Sequence, residues 1–380
     1  MLGTIYKFEL KKLFCARVNI IALAGAVLML LSLTLSSIAE ARPVSREAAK
    51  ELNGRIIDGQ LINELKPALR YENGTTVFEV TGGYEKYAPV MDVLDVMITA
   101  IDKNIDLTGV QGNALYERRE QELAQRMEIQ GLTEKEKEFW RGREDQIQKP
   151  FVYRYHSGPG NLLRAFQALG FFVLLLSAIG LSGSYAIETA EGMNQLLLCS
   201  RYGKKELYCI KLAAGFTWIL TVALIVFLSV MIPYFGIYGI EGTGEMLQLV
   251  KPMSMLPYTI GHMLAVSFGI YLLAAVMFAA VTMLLSVITQ NQPATICGLM
   301  GYLLIDLFVE FPDRYSLLQK IWLLRPNAIL MNSGFSNYRL IHLAGRQFLN
   351  YQAASVLYAM IVIAALLIGQ QRYKRLQVGK

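Results

Sequence analysis

Six long apolar runs, none with a charge at its centre, constrain the fold of this chain more than any other feature. A transmembrane helix needs about 20 mostly apolar residues to cross a hydrocarbon core about 30 Å thick. All six runs reach or approach that length, and the last two are the shortest. They lie at about 18–38, 165–187, 212–234, 262–288, 294–311 and 353–369. The sequence therefore predicts an all-α polytopic membrane protein with six transmembrane helices.

The charged residues are concentrated between the first and second runs. Only 17% of the 380 residues are charged, against roughly a quarter in soluble domains. Residues 39–160 hold 21 of the 30 acids and 17 of the 36 bases, a net charge of −4, so the remaining residues carry +10. We therefore expect a separate polar domain at 39–160. A basic excess beside apolar runs is typical of the cytoplasmic flanks of membrane spans, so we expect no nucleic-acid partner.

Local signals predict that the domain at 39–160 is folded and mainly helical. Thr133 and Glu136 have the spacing of a capping box before an apolar stripe, and Pro89 begins another predicted helix. A short strand is predicted at 75–80, directly after the turn signal at 73–74.

The short loops predict the orientation, because Lys and Arg are retained on the cytoplasmic side of a membrane. Twelve bases flank the runs at the N-terminus, between the second and third runs, and at the C-terminus, whereas six lie in the opposing short loops. This favours a multi-pass plasma-membrane protein with both termini cytoplasmic and 39–160 outside. The predicted segments are a cytoplasmic amphipathic helix at 1–17, spans at 18–38 and 161–187, a cytoplasmic loop at 188–211, four spans within 212–370, and a cytoplasmic tail at 371–380.

Two segments allow a second interpretation. Residues 39–41 resemble a signal-peptidase site, but the run before them, about 21 residues long, exceeds the 7–15 typical of a signal peptide. We favour a span there, with cleavage as the alternative. Residues 312–352 contain apolar islands that are too short to span. We interpret them as re-entrant or interfacial helices or, alternatively, as an ordinary outer loop.

Motifs for nucleotide binding and covalent chemistry are missing from the sequence. A P-loop needs a glycine five residues before its Gly-Lys pair and a hydroxyl after it, but Leu198 and Lys205 stand at those places around Gly203-Lys204. The three histidines lack metalloprotease spacing, and no G-x-S-x-G elbow occurs. We therefore expect no enzymatic activity, no metal site and no cofactor bound by this chain.

The cytoplasmic loop at 188–211 has the pattern of a short amphipathic helix, a break at Gly203 and a second helix that enters the membrane. Acids lie at its start, leucines in its middle and bases towards its end, in agreement with the helix dipole. The alternative is a solvated connector with ordinary cytoplasmic charges. The candidate binding residues of this loop are Glu188, Glu191, Gly192, Leu196, Leu197, Leu198, Arg201, Lys204, Lys205 and Lys211.

The N-terminal segment is predicted to be a helix lying in the membrane interface. Glu9 falls within its apolar side and Phe8 falls outside it, so the face is imperfect. The apolar side consists of Leu2, Tyr6, Leu10 and Leu13, and the polar candidates are Glu9, Lys11 and Lys12.

Two acids, Asp306 and Glu310, lie near the outer end of the fifth run and share a helix face at i and i+4. A charge at that depth is costly unless it is hydrated or paired. We expect a polar partner, either Arg164 or Arg325. The alternative is that both acids reach the headgroups.

The N-terminal segment and the 188–211 loop together resemble the type-2 export permeases of the ATP-binding-cassette transporters. That family begins with E-[LF]-K-K-[LI], which residues 9–13 match. The matching places of its first cytoplasmic loop are held by Glu191, Gly192, Leu197, Leu198, Lys204, Leu207 and Lys211, with departures at Arg201, Gly203 and Ile210. In having a large insert after the first span, the chain resembles a subset of bacterial permeases that carry an outer domain there, although the resemblance covers little of 39–160 itself.

The resemblance implies a transport subunit without an ATPase of its own. It implies a second permease subunit, in a homodimer or heterodimer surrounded by membrane lipid. It also implies a separate ATP-binding-cassette ATPase subunit that carries ATP and Mg and contacts the 188–211 loop. We expect export by alternating access, of a peptide, a lipid or an amphiphilic antibiotic.

Two rival functions remain open at this stage. One is a membrane sensor or scaffold whose outer domain binds a ligand or a partner. The other is an ion-coupled carrier, which would usually need ionisable residues near the bilayer midplane.

Overall fold

Long helices joined by shorter ones make up most of the fold. The computed structural model describes residues 2–40, 43–65, 69–72, 75–78, 87, 89–90, 93–94, 114–192, 205–309, 311, 316–331, 337–343 and 345–375. The helices in these residues are α1 (Leu2–Cys15), α2 (Arg17–Glu40), α3 (Pro43–Glu51), α4 (Gly59–Leu65), α5 (Ala114–Ile129), α6 (Glu134–Glu144), α7 (Ser157–Leu181), α8 (Gly183–Ala190), α9 (Lys205–Tyr238), α10 (Ile260–Thr289), α11 (Gln292–Phe308), α12 (Ser316–Trp322), α13 (Pro326–Leu330) and α14 (Asn350–Lys374). The strands pair as antiparallel hairpins, β1 (Leu69–Glu72) with β2 (Thr75–Phe78) and β3 (Ile341–Leu343) with β4 (Arg346–Phe348).

Five helical segments in the described part of the chain are long and apolar enough to cross a membrane. They coincide with five of the six predicted spans, which confirms a helical membrane protein at this level. The sixth predicted span forms α11, whose 17 residues rise only about 26 Å, so a sixth crossing stays a prediction. The five segments are Arg17–Glu40, Ser157–Glu188, Glu206–Tyr238, Ile260–Thr289 and Asn350–Lys374.

The tight turn between α10 and α11 follows from local sequence. Gln290 ends α10 in the left-handed conformation, with φ 50°. The Asn291 side chain accepts a hydrogen bond from Ala294 N at 3.0 Å and caps α11. Pro293 lies in the first turn of α11, where helices tolerate its missing N–H. Only two residues therefore separate the two helices.

A serine from α10 bridges the break between α7 and α8 at Ser182. The Ser286 hydroxyl donates to Ser182 O at 2.6 Å. It also accepts hydrogen bonds from the backbone N–H groups of Tyr185 and Ala186, both at 3.2 Å. Backbone groups freed by a break need protein partners where water is absent. Ser286 therefore stabilises the change from one helix to the next.

The segment that carries α5 and α6 is anchored to one end of the helical bundle by a buried arginine. Arg119 on α5 is fully buried and forms an ion pair with Glu144 near the end of α6. Its guanidinium also donates to the carbonyl oxygens of Pro252 at 2.8 Å and Ser254 at 3.1 Å. These carbonyls belong to the loop between α9 and α10, so Arg119 links α5 and α6 to that end of the bundle by hydrogen bonds.

The helix α6 provides a second anchor and begins as the sequence predicts. Glu136 Oε2 accepts from Thr133 N at 2.9 Å, and Thr133 Oγ1 accepts from Glu136 N at 3.4 Å, which is a complete capping box. Trp140 Nε1 donates to Tyr338 O at 2.6 Å and ties α6 to the segment before β3. The predicted strand is confirmed as β2, whereas most of the helix predicted after Pro89 lies outside the described residues.

The helix α13 lies beside the bundle helices and not above their ends. Tyr358 OH donates to Leu324 O at 2.7 Å, and Tyr358 is about 12 Å along α14 from its start. Gly170, about 20 Å along α7, is so close to the Leu330 side chain that any larger residue there would clash. α13 therefore packs within the half of the bundle that faces α5 and α6. That this segment re-enters a membrane stays a prediction.

Candidate functional site

Four of the predicted site residues meet where α1, α8 and α9 converge. Lys211 Nζ on α9 lies 2.5 Å from Glu188 Oε1 on α8 and 3.3 Å from Glu9 Oε2 on α1. Lys12 Nζ lies 2.9 Å from the same Glu188 oxygen. We call Glu9, Lys12, Glu188 and Lys211 the ion-pair cluster. It joins the N-terminal helix to both helices that flank residues 193–204.

Burial makes the ion-pair cluster costly to break. Lys211 is 2% exposed and Glu188 is 3% exposed. The ammonium of Lys211 also donates to Ser184 O at 3.0 Å, so all three of its donors are used. Removing one partner from a buried ion pair leaves an uncompensated charge, at a cost of about 3–5 kcal/mol.

The outermost member of the ion-pair cluster is Lys12, whose side chain is 38% exposed. Desolvation disfavours its charged form, but the hydrogen bond to Glu188 and the charge of that carboxylate act in the opposite direction. The net effect raises the pKa of Lys12 above its ordinary value. The contact of Lys12 with α8 therefore outweighs the cost of its partial burial.

Three tyrosines pack next to the ion-pair cluster. Tyr185 stacks on Tyr208 with ring centroids 5.8 Å apart, and Tyr373 contacts the two rings at 5.4 and 5.6 Å. Lys211 Nζ lies 5.5 Å from the Tyr185 centroid, within the range of a cation–π interaction. Because Tyr373 lies in the last turn of α14, the last described helix also ends at this cluster.

The helix α1 docks on α9 through the side that the sequence predicts to be apolar. Tyr6 OH donates to Thr217 Oγ1 at 2.8 Å, and Glu9 within the same side pairs with Lys211. Phe8 and Lys11 lie on the exposed side of α1. The acid that interrupts the apolar face thus has a partner in the protein.

The remaining residues of the 188–211 loop are only partly described. Glu191 and Gly192 are exposed just after α8, and Gly192 has φ 70°. Lys205 is the first residue of α9. The five other candidates, which lie outside the described residues, are Leu196, Leu197, Leu198, Arg201 and Lys204. Docking of a partner on this loop therefore stays a prediction.

A second ion pair, between the buried Asp306 and the half-buried Arg325, lies at the end of α11. Arg325 Nη1 lies 2.9 Å from Asp306 Oδ1 and donates to Asp306 O at 2.5 Å. The Arg325 guanidinium also lies 3.8 Å from the centroid of the Trp322 ring. Of the two cations considered from the sequence, Arg325 is thus the one that the structure pairs with Asp306. Arg164 is exposed on α7, and Glu310 lies outside the described residues.

Sequence reasoning missed the residues that fix α5 and α6 to the bundle and bridge the α7–α8 break. Arg119 is one of many charged residues on an apparently solvated helix, and Ser286 is a lone hydroxyl in an apolar run, so neither carries a local signal. Within the described ranges, no group of three or more His, Cys, Asp or Glu is arranged to hold a metal ion.

Comparison with known proteins adds no relative on which to base a function. No protein-family model, curated protein or solved structure matches this chain.

Proposed function

We propose that this chain is the permease subunit of an ATP-driven exporter, with ATP hydrolysed on a separate cassette ATPase subunit that binds the 188–211 loop. The observation that carries the proposal is the ion-pair cluster. Lys211 and Glu188 lie on the two helices that enter and leave residues 193–204, and Glu9 adds the N-terminal helix to the same unit. A force applied to the loop would therefore act on α1, α8 and α9 together.

The positions of the helix ends support the proposed topology. α1, the end of α14 and the flanks of the 188–211 loop lie at one end of the bundle, and the Arg119 contact lies at the other. α10 ends near α8, where Gln292 approaches Gly183, whereas α14 begins near the polar domain. Because α10 ends at one end of the bundle and α14 begins at the other, the chain must cross the bundle between them, and α11 to α13 make this crossing. This supports six crossings with both termini on one side and 39–160 on the other, and the basic flanks favour the cytoplasm for the termini.

The mechanism that fits this arrangement is alternating access without covalent chemistry on this chain. Packed helices have discrete arrangements, and small displacements at one end switch them. The ion-pair cluster would carry the displacement from a closing ATPase subunit to α7–α8 and α9. A second permease subunit would complete the path, and membrane lipid would cover the outward apolar faces of α2 and α14.

Purification of the tagged chain from its native membrane tests the proposal. We expect a cassette ATPase to copurify, and ATP hydrolysis by the complex to fall when Lys211 is changed. A purified chain that carries no ATPase and shows no ATP-dependent transport in vesicles would contradict the proposal and favour the sensor or scaffold.

A further inference from the structure

A narrow cavity lies between α6 and the bundle helices α10, α13 and α14. Of the residues that line it, Asn337 and Tyr351 are partly exposed and the others are buried. These two residues therefore mark the mouth of the cavity. The apolar walls are formed mainly by Trp140, Leu256, Met263, Ile270, Leu330 and Leu349.

The fold holds the walls of this cavity in place. Trp140 Nε1 donates to Tyr338 O at 2.6 Å, so the polar atom of the indole is satisfied and the rest of the ring adds apolar surface. Tyr338 OH in turn donates to Met253 O at 2.6 Å. Another wall residue, Leu330, packs closely against Gly170 on α7. These wall residues therefore keep their positions without a ligand.

One polar atom in the lining of the cavity is not satisfied by the fold. Asn350, the first residue of α14, is 5% exposed. Within the described part of the chain, its side-chain Oδ1 accepts no hydrogen bond. An unpaired buried acceptor is unfavourable, and a donor group on a ligand in the cavity would satisfy it. Ser267 on α10 adds a second buried polar side chain to the lining.

The polar and apolar parts of the cavity lie at different depths. Asn350 and Tyr351 begin α14, and Tyr351 OH lies 3.1 Å from Tyr258 OH in the loop before α10. Ile270, by contrast, lies about 15 Å along α10 from its start. The cavity therefore runs from a polar mouth at the end of the bundle into an apolar interior.

We propose that this cavity binds a single-chain amphiphile whose head carries a neutral hydrogen-bond donor, a hydroxyl or an amide N–H. The donor meets Asn350 Oδ1, and the alkyl chain lies along Met263, Ile270 and Leu330. Mainly apolar walls with a few placed polar groups are typical of small-molecule sites, and a charged head would be costly to bury there. The gaps between the walls are narrow, so they favour one extended chain. The cavity lies within one chain, so the inference does not rest on the proposed transport function.

Photolabelling of the purified full-length chain in amphipol tests the site. One probe is a diazirine derivative of 1-octanol, and the other is the matching octane derivative without the hydroxyl. Labelled peptides are identified by mass spectrometry as each probe is titrated. Asn350→Leu removes the acceptor at similar volume, and Ser267→Leu fills the cavity. Asn161→Leu, at a partly exposed asparagine on α7 outside the lining, is the matched control.

We expect saturable labelling of the peptides that contain Met263 and Tyr351 by the octanol probe. Asn350→Leu should weaken octanol binding by about tenfold, as for one lost hydrogen bond, and should leave octane binding unchanged. Ser267→Leu should abolish the labelling by both probes, and Asn161→Leu should match the wild type. The unfolding midpoint of Asn350→Leu should equal or exceed that of the wild type, because Oδ1 has no hydrogen bond to lose.

Three results would overturn the site. The first is labelling that does not saturate or that lies outside the cavity. The second is equal labelling of the wild type and Ser267→Leu, or an equal loss in Asn161→Leu. The third is equal affinity of the wild type for the two probes, or a lower unfolding midpoint in Asn350→Leu, which would show that this side chain serves the fold and not a ligand.

Discussion

Lys211 Nζ and Glu188 Oε1 lie 2.5 Å apart although 23 residues separate them in the chain. The pair closes the base of a loop whose central part, 193–204, connects the two candidate spans. Both groups are almost fully buried, so separating them would leave each charge unpaired and out of contact with water. The two helices are therefore coupled at the point where the loop leaves the bundle.

Replacing Lys211 should destabilise the bundle. Lys211→Met keeps the length of the side chain but leaves Glu188 and Glu9 buried without their shared cation. We expect a loss of about 3–5 kcal/mol in the free energy of unfolding, measured by thermal or denaturant unfolding in detergent. Lys11→Met, at an exposed base on α1, is the control and should change little. Equal stability of the two variants would show that the ion pairs contribute nothing.

Within the 188–211 loop, a leucine should contribute more to ATPase binding than a charged residue at the edge of the contact. We expect Leu197 to bind in an apolar groove of the ATPase, where the carboxylate of Leu197→Asp would be strongly unfavourable. Charges at the edge of an interface mainly fix its register. We expect Leu197→Asp to release the ATPase subunit or uncouple hydrolysis from export, and Lys205→Ala to have a small effect. Copurification and vesicle transport measure both. Full transport by Leu197→Asp at normal abundance would exclude a buried docking contact.

Acid should weaken the contact between α6 and the segment before β3 through Glu136. Burial disfavours its carboxylate, but hydrogen bonds from Thr133, the charge of Lys320 and the Leu340 N–H outweigh this and lower its pKa below 4.5. The resulting stabilisation is present above pH 4.5 and is lost as the pH falls through the lowered pKa. Glu136→Gln should flatten this dependence in acid unfolding curves, and Glu138→Gln, at an exposed site, should leave it intact.

A double-mutant cycle should detect coupling between Asp306 and Arg325. Asp306→Ala leaves a half-buried guanidinium and Arg325→Ala leaves a buried carboxylate without a partner. The double variant should therefore lose less stability than the sum of the two single losses. We expect an interaction energy within about 0.5–3 kcal/mol. Arg164→Ala combined with Asp306→Ala provides the non-contacting comparison. Strict additivity in both cycles would mean that the ion pair at the end of α11 has no measurable interaction energy.

Cysteine labelling should report the predicted orientation. In a cysteine-free background, a membrane-impermeant thiol reagent applied to intact cells should label Gln121→Cys, which is exposed on α5, and not Lys380→Cys. Permeabilised cells should label both and provide the control. The reverse pattern in intact cells would invert the topology.

The sequence by itself determined the elements whose causes are local. Apolar runs of about 20 residues can only be stabilised as helices where water is absent, and five of them form such helices. Thr133 and Glu136 fix the start of α6 because a capping box needs residues only three positions apart. The turn signal before residue 75 likewise preceded a real strand, since a hairpin is specified by its turn and its two adjacent segments.

The tertiary structure alone decided which charged residues meet. Glu9 interrupts the apolar side of α1 because its cation, Lys211, is 202 residues away. The periodicity of one helix cannot show this. Likewise the sequence left Asp306 with two possible cations, and the packing of α13 against α7 and α14 placed Arg325 beside it. The partner of a buried charge depends on which helix faces are brought together, which is a property of the whole bundle. The helices themselves depend on residues that are neighbours in the sequence.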